Sequence, residues 1–212
     1  MRRVVWTVVY ALSMAFVESA VVVYLRALAH GGPFADAADA VLPPGVLGIE
    51  ITREAATLVM LAATAALAGR DRWERFLLFS LAFAVWDLGY YGWLWILSGW
   101  PRSLLAWDVL FLIPVPWAAP VLAPVLVSLE MIVGSGVLLR LHAAGRRPGL
   151  RIGTAGVAAG GAFLIFSSFV VDFRTTSAGR APEVFHWGLF VIGLAIAGMA
   201  LTAAARAARP RP

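Results

Sequence analysis

Three carboxylates lie near the middle of three separate apolar stretches of the sequence: Glu18, Asp87 and Glu130. An ionised side chain at the centre of a bilayer costs a few kcal/mol or more, so such residues are rare and are functional by default. Carboxylates in that environment can bind protons or metal cations, or act as general acids and bases. These residue types therefore predict ion binding or acid–base chemistry inside a membrane.

The positions of these carboxylates along their helices predict similar depths in the bilayer. At about 1.5 Å per residue, Glu18 would lie roughly 21 Å above the inner end of its stretch, and Asp87 roughly 16 Å above the inner end of its own. Glu130, counted from the opposite end, would lie about 18 Å below the outer end. Because these depths overlap near the midplane, we expect the three side chains to form one polar site.

Further polar residues are predicted between this site and the outer surface. Glu54 falls about 10 Å below the outer start of the second apolar stretch, and Asp108 belongs to a shorter segment on the same side. This arrangement predicts a cavity open to the outside, with carboxylates from its mouth to its floor. The residues predicted to support it are Arg26, Arg53, Glu50, Tyr90 and Tyr91.

The same residues also have structural interpretations, which the sequence leaves open. The two arginines can form ion pairs that simply lock the first two helices together, and one sequence does not assign their partners. Asp87 can be a hydrogen-bonded packing residue, and Asp108 can anchor an interfacial helix. Glu18 and Glu130 have no basic residue within one helical turn, so function is favoured for them.

Histidine gives a weaker indication of a metal site. His30 and His186 fall at the outer ends of two apolar stretches, near two carboxylates, and such side chains bind zinc, iron or copper. Neither lies at the depth that axial ligation of a haem would need. All 17 basic residues are arginine and cysteine is absent, so neither a retinal Schiff base nor an iron–sulfur cluster is expected. A divalent cation held by carboxylates is the cofactor that the residue types permit.

The composition is that of an integral membrane protein. Of 212 residues, 61% are hydrophobic and 14% are charged, whereas soluble domains are roughly 45–50% apolar and about 25% charged. The net charge of +5 comes from arginines spread over short loops, which predicts no nucleic-acid partner. Richness in Ala, Gly, Pro and Arg indicates a bacterial genome of high G+C content. We expect one integral domain over 1–212 in the cytoplasmic membrane, with the lipid bilayer as its partner.

Six apolar stretches approach the roughly 20 residues that cross a bilayer as a helix. They predict an all-α polytopic bundle with spans at about 4–29, 47–68, 76–97, 118–141, 152–171 and 184–205. Segment 103–113 is apolar but too short to span, so we predict a re-entrant or interfacial helix between spans three and four. Spans five and six are rich in glycine and are predicted to pack closely together.

The distribution of arginine predicts the orientation of this bundle. With six spans, twelve of the 17 arginines fall on the side of the two termini and five on the other side. The positive-inside rule therefore places both termini in the cytoplasm. The competing interpretation is a signal peptide cleaved after Ala29, but the first stretch is long for one and contains Glu18 and Arg26.

These features favour a proton- or cation-coupled transporter, or a related permeation protein. In that hypothesis the three deep carboxylates bind the coupling ion, and Glu54 and Asp108 guard the outer entrance. Two alternatives stay open: a membrane-embedded enzyme that holds a divalent metal and acts on a lipid-like substrate, and an accessory subunit of a larger membrane complex. Whether the chain is an enzyme is undecided by its sequence. Its ligand would be protons, cations or a small solute.

Overall fold

The computed structural model describes residues 2–30, 44–147 and 152–210, which are mostly helical. Its elements in chain order are α1 (Arg2–His30), α2 (Pro44–Ala68), α3 (Arg72–Ser98), β1 (Trp107–Phe111), β2 (Trp117–Pro120), α4 (Leu122–Ala143), β3 (Arg146–Arg147), α5 (Ile152–Val170), α6 (Phe173–Ser177), α7 (Trp187–Arg206) and β4 (Arg209–Pro210). The prediction of a helical bundle is therefore confirmed. The β1–β2 hairpin and the short pairing of β3 with β4 were not predicted.

Five helices of the described ranges are long and apolar enough to cross a membrane, namely α1, α3, α4, α5 and α7. Large apolar side chains point outward from them, with exposed fractions of 65% for Phe163 and 62% for Met199. An outer surface of that kind suits lipid rather than water. Helix α2 has 25 residues but carries three charged side chains in its first half, and it is not among the five.

Helix α3 lies at the centre of one half of the bundle, where it packs against α1, α2 and α4. Its start is fixed by Asp71, whose side chain accepts hydrogen bonds of 2.9 Å from the backbone N–H groups of Trp73 and Glu74. In the other half α5 packs against α7, as predicted, and α4 contacts α7. A Cβ atom on Gly161 of α5 would come within 2.8 Å of the Gly193 oxygen of α7, so glycine permits this close approach.

The segment between α3 and α4 is a β-hairpin, so the helix predicted over 103–113 is wrong. Strand β1 pairs antiparallel with β2, and Asp108 stands opposite Ala119. Aromatic and β-branched residues favour a strand here, and the two prolines of the connection lack the N–H groups that a helix would need. The following helix consequently begins at Leu122, four residues later than predicted.

The arginine-rich segments of the chain meet at one end of the bundle, where β3 also pairs with β4. Three side-chain contacts hold them together: Arg3 Nη1 to Ala68 O at 2.9 Å, His142 Nε2 to Asp71 Oδ2 at 3.1 Å, and Arg146 Nη2 to Ala208 O at 2.9 Å. The start of α1, the turn between α2 and α3, the end of α4 and the end of α7 therefore share this end. We call it the arginine-rich end.

Candidate functional site at a carboxylate cavity

A small cavity of about 60 Å³ lies between α1, α2, α3 and β1. Acidic side chains from all four elements line it, namely Glu18, Glu50, Glu54, Asp87 and Asp108. Among the described residues Arg53 is the one basic side chain on its wall. We call this space the carboxylate cavity. Four of the five acids singled out from the sequence therefore come together, although they are far apart along the chain.

Arg53 binds two of these carboxylates at once. Its Nη1 group donates to Glu18 Oε1, while Nε and Nη2 donate to the two oxygens of Glu50 at 2.9 and 2.5 Å. Thr57 donates to the second oxygen of Glu18 at 3.3 Å. Residues 50, 53, 54 and 57 share one helical face because they are three or four positions apart. The ion pairs that one sequence could not assign are therefore those of Arg53.

The other three carboxylates of the cavity accept hydrogen bonds from neutral donors. Glu54 Oε2 accepts from the backbone N–H of Leu112 at 2.9 Å, just after β1. Asp87 Oδ2 accepts from the Ser128 hydroxyl of α4 at 2.8 Å, and Asp108 Oδ2 accepts from the Tyr91 hydroxyl at 3.1 Å. Such bonds offset part of the cost of burying a polar group, but they do not neutralise an ionised carboxylate.

Asp108 reaches the cavity because the β-hairpin carries it there. Its partner residue in the pairing, Ala119, is fully buried, and the hairpin is fixed against α2 by the bond from Leu112 to Glu54. Non-helical backbone inside a membrane protein needs such internal partners for its polar groups. Burial raises the pKa of Asp108 to about 6, although the Arg26 charge and the Tyr91 hydrogen bond both lower it. This carboxyl group therefore changes its protonation near neutral pH.

Glu130 does not belong to the carboxylate cavity, so the expectation of one site for the three deep carboxylates is wrong in this part. Its Oε1 atom lies 3.0 Å from the position that a Cβ atom on Gly198 would take, and so it faces α7. That oxygen is buried and has no hydrogen-bond partner among the described residues. Rise per residue does not give the direction in which a side chain faces, and the rotation of α4 about its axis directs Glu130 away from the other acids.

A larger cavity of about 650 Å³ adjoins the carboxylate cavity on the side away from the arginine-rich end. We call it the vestibule. The two cavities share Glu50, Glu54, Tyr90 and Asp108 on their walls. The vestibule is also lined by segment 173–182, which connects α5 to α7. The carboxylate cavity thus forms the inner end of one continuous recess.

Arg26 lines the vestibule rather than the carboxylate cavity. Its guanidinium group lies over the ring of Trp100, with 4.5 Å from Cζ to the ring centroid. Such stacking holds a cation against an aromatic face but supplies no hydrogen-bond acceptor. The interpretation that Arg26 locks α1 to α2 by an ion pair is not supported by the contacts of the described residues.

The described residues do not assemble a metal cage. No group of three or more histidine or carboxylate side chains within the described ranges is placed to hold a metal ion. His186 instead contacts Asp172, with 3.1 Å between Nε2 and Oδ2, at the exposed surface. The side chain of His30, the other member of the predicted histidine pair, lies outside the described part of the chain. The acids of the carboxylate cavity are paired with Arg53 or with neutral donors instead.

Sequence reasoning singled out Tyr91 but missed two other hydroxyl donors of the site, Thr57 and Ser128. Thr57 lies three residues after Glu54 on the charged face of α2, so helical spacing alone could have identified it. Ser128 of α4 could not be found in this way, because its partner Asp87 lies on another helix. Helical spacing could not identify Arg180 either, because this residue lines the vestibule from the connection between α5 and α7.

Comparison with known proteins gives no relative from which a function could be transferred. No family model, no curated protein and no solved structure matches this chain. What the site can do therefore follows from its own charges. It holds five carboxylates against one arginine, and the vestibule adds Arg26 and Arg180.

Proposed function

We propose that this chain is a six-span protein of the cell membrane that takes up protons or small cations from outside at its carboxylate cavity, as a transporter or permeation protein. The observation that carries the proposal is the surplus of acids in the recess. Among the described residues, five carboxylates and three arginines line the recess, so its formal charge is −2 when all of them are ionised, and Arg53 alone is ion-paired with these acids. A buried ion without a partner costs several kcal/mol, so a proton or a cation is needed to neutralise each surplus carboxylate.

The proposed topology counts α2 as the sixth span. At about 1.5 Å per residue its 25 residues extend about 37 Å, enough to cross a bilayer. Its charged residues do not oppose insertion, because Glu50 and Glu54 are 8% and 7% exposed and face the bundle interior. Six spans put both termini at the arginine-rich end, and the positive-inside rule assigns that end to the cytoplasm. The vestibule then opens toward the outside.

The proposed path runs from the vestibule to the carboxylate cavity. Glu54 and Asp108 border both spaces, so an incoming proton or cation would meet them first. Glu18 and Asp87 line the inner cavity alone. Since the pKa of Asp108 is about 6, this group can gain and lose a proton in the physiological range, which suits a relay residue.

Flux measurements with the purified protein test this proposal. In proteoliposomes with an imposed membrane potential, a trapped pH-sensitive dye should report proton entry, and a sodium- or potassium-sensitive dye should report cation entry. Glu54→Gln and Asp108→Asn should reduce the observed flux at least tenfold. Glu130→Gln is the matched control, because this deep carboxylate lies outside the cavity and its variant should keep the flux.

Two results would contradict the proposal. One is a flux of protons, sodium and potassium no greater than that of empty liposomes, with the protein folded and inserted in both orientations. The other is a flux that Glu54→Gln and Asp108→Asn leave unchanged.

A further inference from the structure

The vestibule contains a buried cation, Arg26, with a donor group that finds no acceptor in the described part of the chain. Arg26 is 5% exposed, and its Nη1 group has no hydrogen-bond partner among the described residues. Its contact with the Trp100 ring supplies no hydrogen-bond acceptor, so Nη1 stays without one within the described ranges. A buried donor of a charged group is costly when it is unsatisfied. Binding of an anionic acceptor beside Arg26 would therefore be favourable.

The acids around Arg26 are engaged elsewhere. Glu50 is bound by Arg53, Glu54 accepts the Leu112 N–H, and Asp108 accepts the Tyr91 hydroxyl. Asp108 is close enough for the Arg26 charge to lower its pKa, but no ion pair joins the two. Among the described residues, Arg26 therefore has a free donor group on a wall whose carboxylates already have their own partners.

The remaining wall of the vestibule is largely apolar. Its volume of about 650 Å³ falls within the roughly 300–1,000 Å³ of cavities that bind small organic ligands. The apolar side chains on this wall include Val22, Leu25, Leu47, Ile51, Leu112 and Val115. A ligand that fits both features has one anionic head group and a hydrocarbon body.

We propose that the vestibule binds an amphipathic organic anion, whose carboxylate or phosphate head pairs with Arg26 and whose hydrocarbon body lies along the apolar wall. The planar guanidinium group matches both head groups through two parallel hydrogen bonds. This inference rests on the proposed function for access from outside, and it names the solute class that would accompany the ion. Binding at equilibrium needs no transport, so the two proposals can fail separately.

Equilibrium binding of radiolabelled octanoate tests the inference, with the full chain in nanodiscs of zwitterionic lipid. Octyl phosphate should compete with octanoate, whereas octyltrimethylammonium should not. Arg26→Gln should weaken octanoate binding by at least about tenfold, the loss of one charge-assisted bond. Arg102→Gln is the matched control, because this exposed arginine does not line the vestibule, and it should bind as the wild type does.

A second substitution of Arg26 and a change of lipid give two additional tests. If Arg26→Gln does not fold, Arg26→Lys keeps the charge but loses the paired geometry, and it should weaken binding several-fold. Discs that contain phosphatidic acid separate the sources of the anion. Competition by that lipid supports a ligand drawn from the bilayer, and its failure to compete supports a soluble anion.

The inference is overturned if the folded Arg26 variants bind octanoate as tightly as the wild type. It is equally overturned if the wild type does not bind octanoate, or if octyltrimethylammonium competes as well as octyl phosphate does. Ion flux measured without octanoate would persist in all these cases if the proposed function holds.

Discussion

Replacing Arg53 by glutamine removes the counter-charge of two buried carboxylates. The side chains of Glu18 and Glu50 are 9% and 11% exposed, so water would solvate them poorly after the substitution. Removing one partner of a buried ion pair costs about 3–5 kcal/mol. Because the Arg53 side chain itself is 21% exposed, we expect the lower end, about 3 kcal/mol of unfolding free energy.

Unfolding by SDS in mixed micelles, followed by tryptophan fluorescence, measures this loss. The triple variant Glu18→Gln, Glu50→Gln, Arg53→Gln should recover to within about 1 kcal/mol of the wild type, because no unpaired charge remains buried. Lowering the pH from 8 to 5 should also stabilise Arg53→Gln relative to the wild type, since a protonated carboxyl needs no counter-ion. Arg102→Gln, in an exposed loop, should cost no more than about 0.5 kcal/mol.

The outcome that refutes this reasoning is a loss for Arg53→Gln no larger than that for Arg102→Gln. A triple variant as unstable as the single one would refute it as well. The destabilisation would then come from lost packing of the arginine side chain rather than from unpaired charge.

Three further predictions follow from single contacts. Gly161→Ala should lower the free energy of unfolding by about 1–3 kcal/mol, because its Cβ would lie 2.7 Å from the α7 backbone. Gly160→Ala should be tolerated, since a Cβ at this position has nothing within 4 Å. Thermal unfolding of the two variants measures the difference. Tyr91→Phe should cost about 1.5–3 kcal/mol by removing the donor to Asp108, measured by the same SDS titration, and no loss would contradict that bond. Burial raises the folded-state pKa of Asp108 from its usual 3.8 to about 6. The contribution of this group to the free energy of unfolding is therefore full below pH 4 and is lost as pH rises through 6. Asp108→Asn should make the free energy of unfolding less dependent on pH across this window, and an unchanged pH profile would contradict the assignment.

The helices of this protein could be predicted from the sequence because each apolar stretch is a local property. Segment 103–113 could not be assigned in this way, since a short apolar run suits a buried strand as well as a helix. Asp108 was therefore assigned to a re-entrant or interfacial helix at the entrance of the cavity, whereas it lies in a strand of the hairpin between α3 and α4, which carries it into the carboxylate cavity.

The candidate site was predicted in part, and the reason lies in what helix geometry provides. Rise per residue gives the depth of a side chain, but the direction that it faces depends on packing with other helices. Glu18 and Asp87 were placed together, whereas Glu130 faces Gly198 instead. The pair of Glu18 with Arg53 joins residues 35 positions apart, so no local pattern could reveal it.

The charge surplus of the recess is the claim on which the proposed function depends, and infrared spectroscopy tests it most directly. The measurement would use Glu130→Gln protein at pH 5, below the pKa of about 6 of Asp108, with a bulky organic cation as the only counter-ion, so that the cavity acids are the buried carboxyls observed. We predict absorption from protonated carboxyl groups, and this absorption should fall when Asp108→Asn or Glu54→Gln is added. If the site binds metal cations, the absorption should also fall when sodium or potassium displaces the protons. A spectrum in which every carboxyl group is ionised under these conditions would contradict the account.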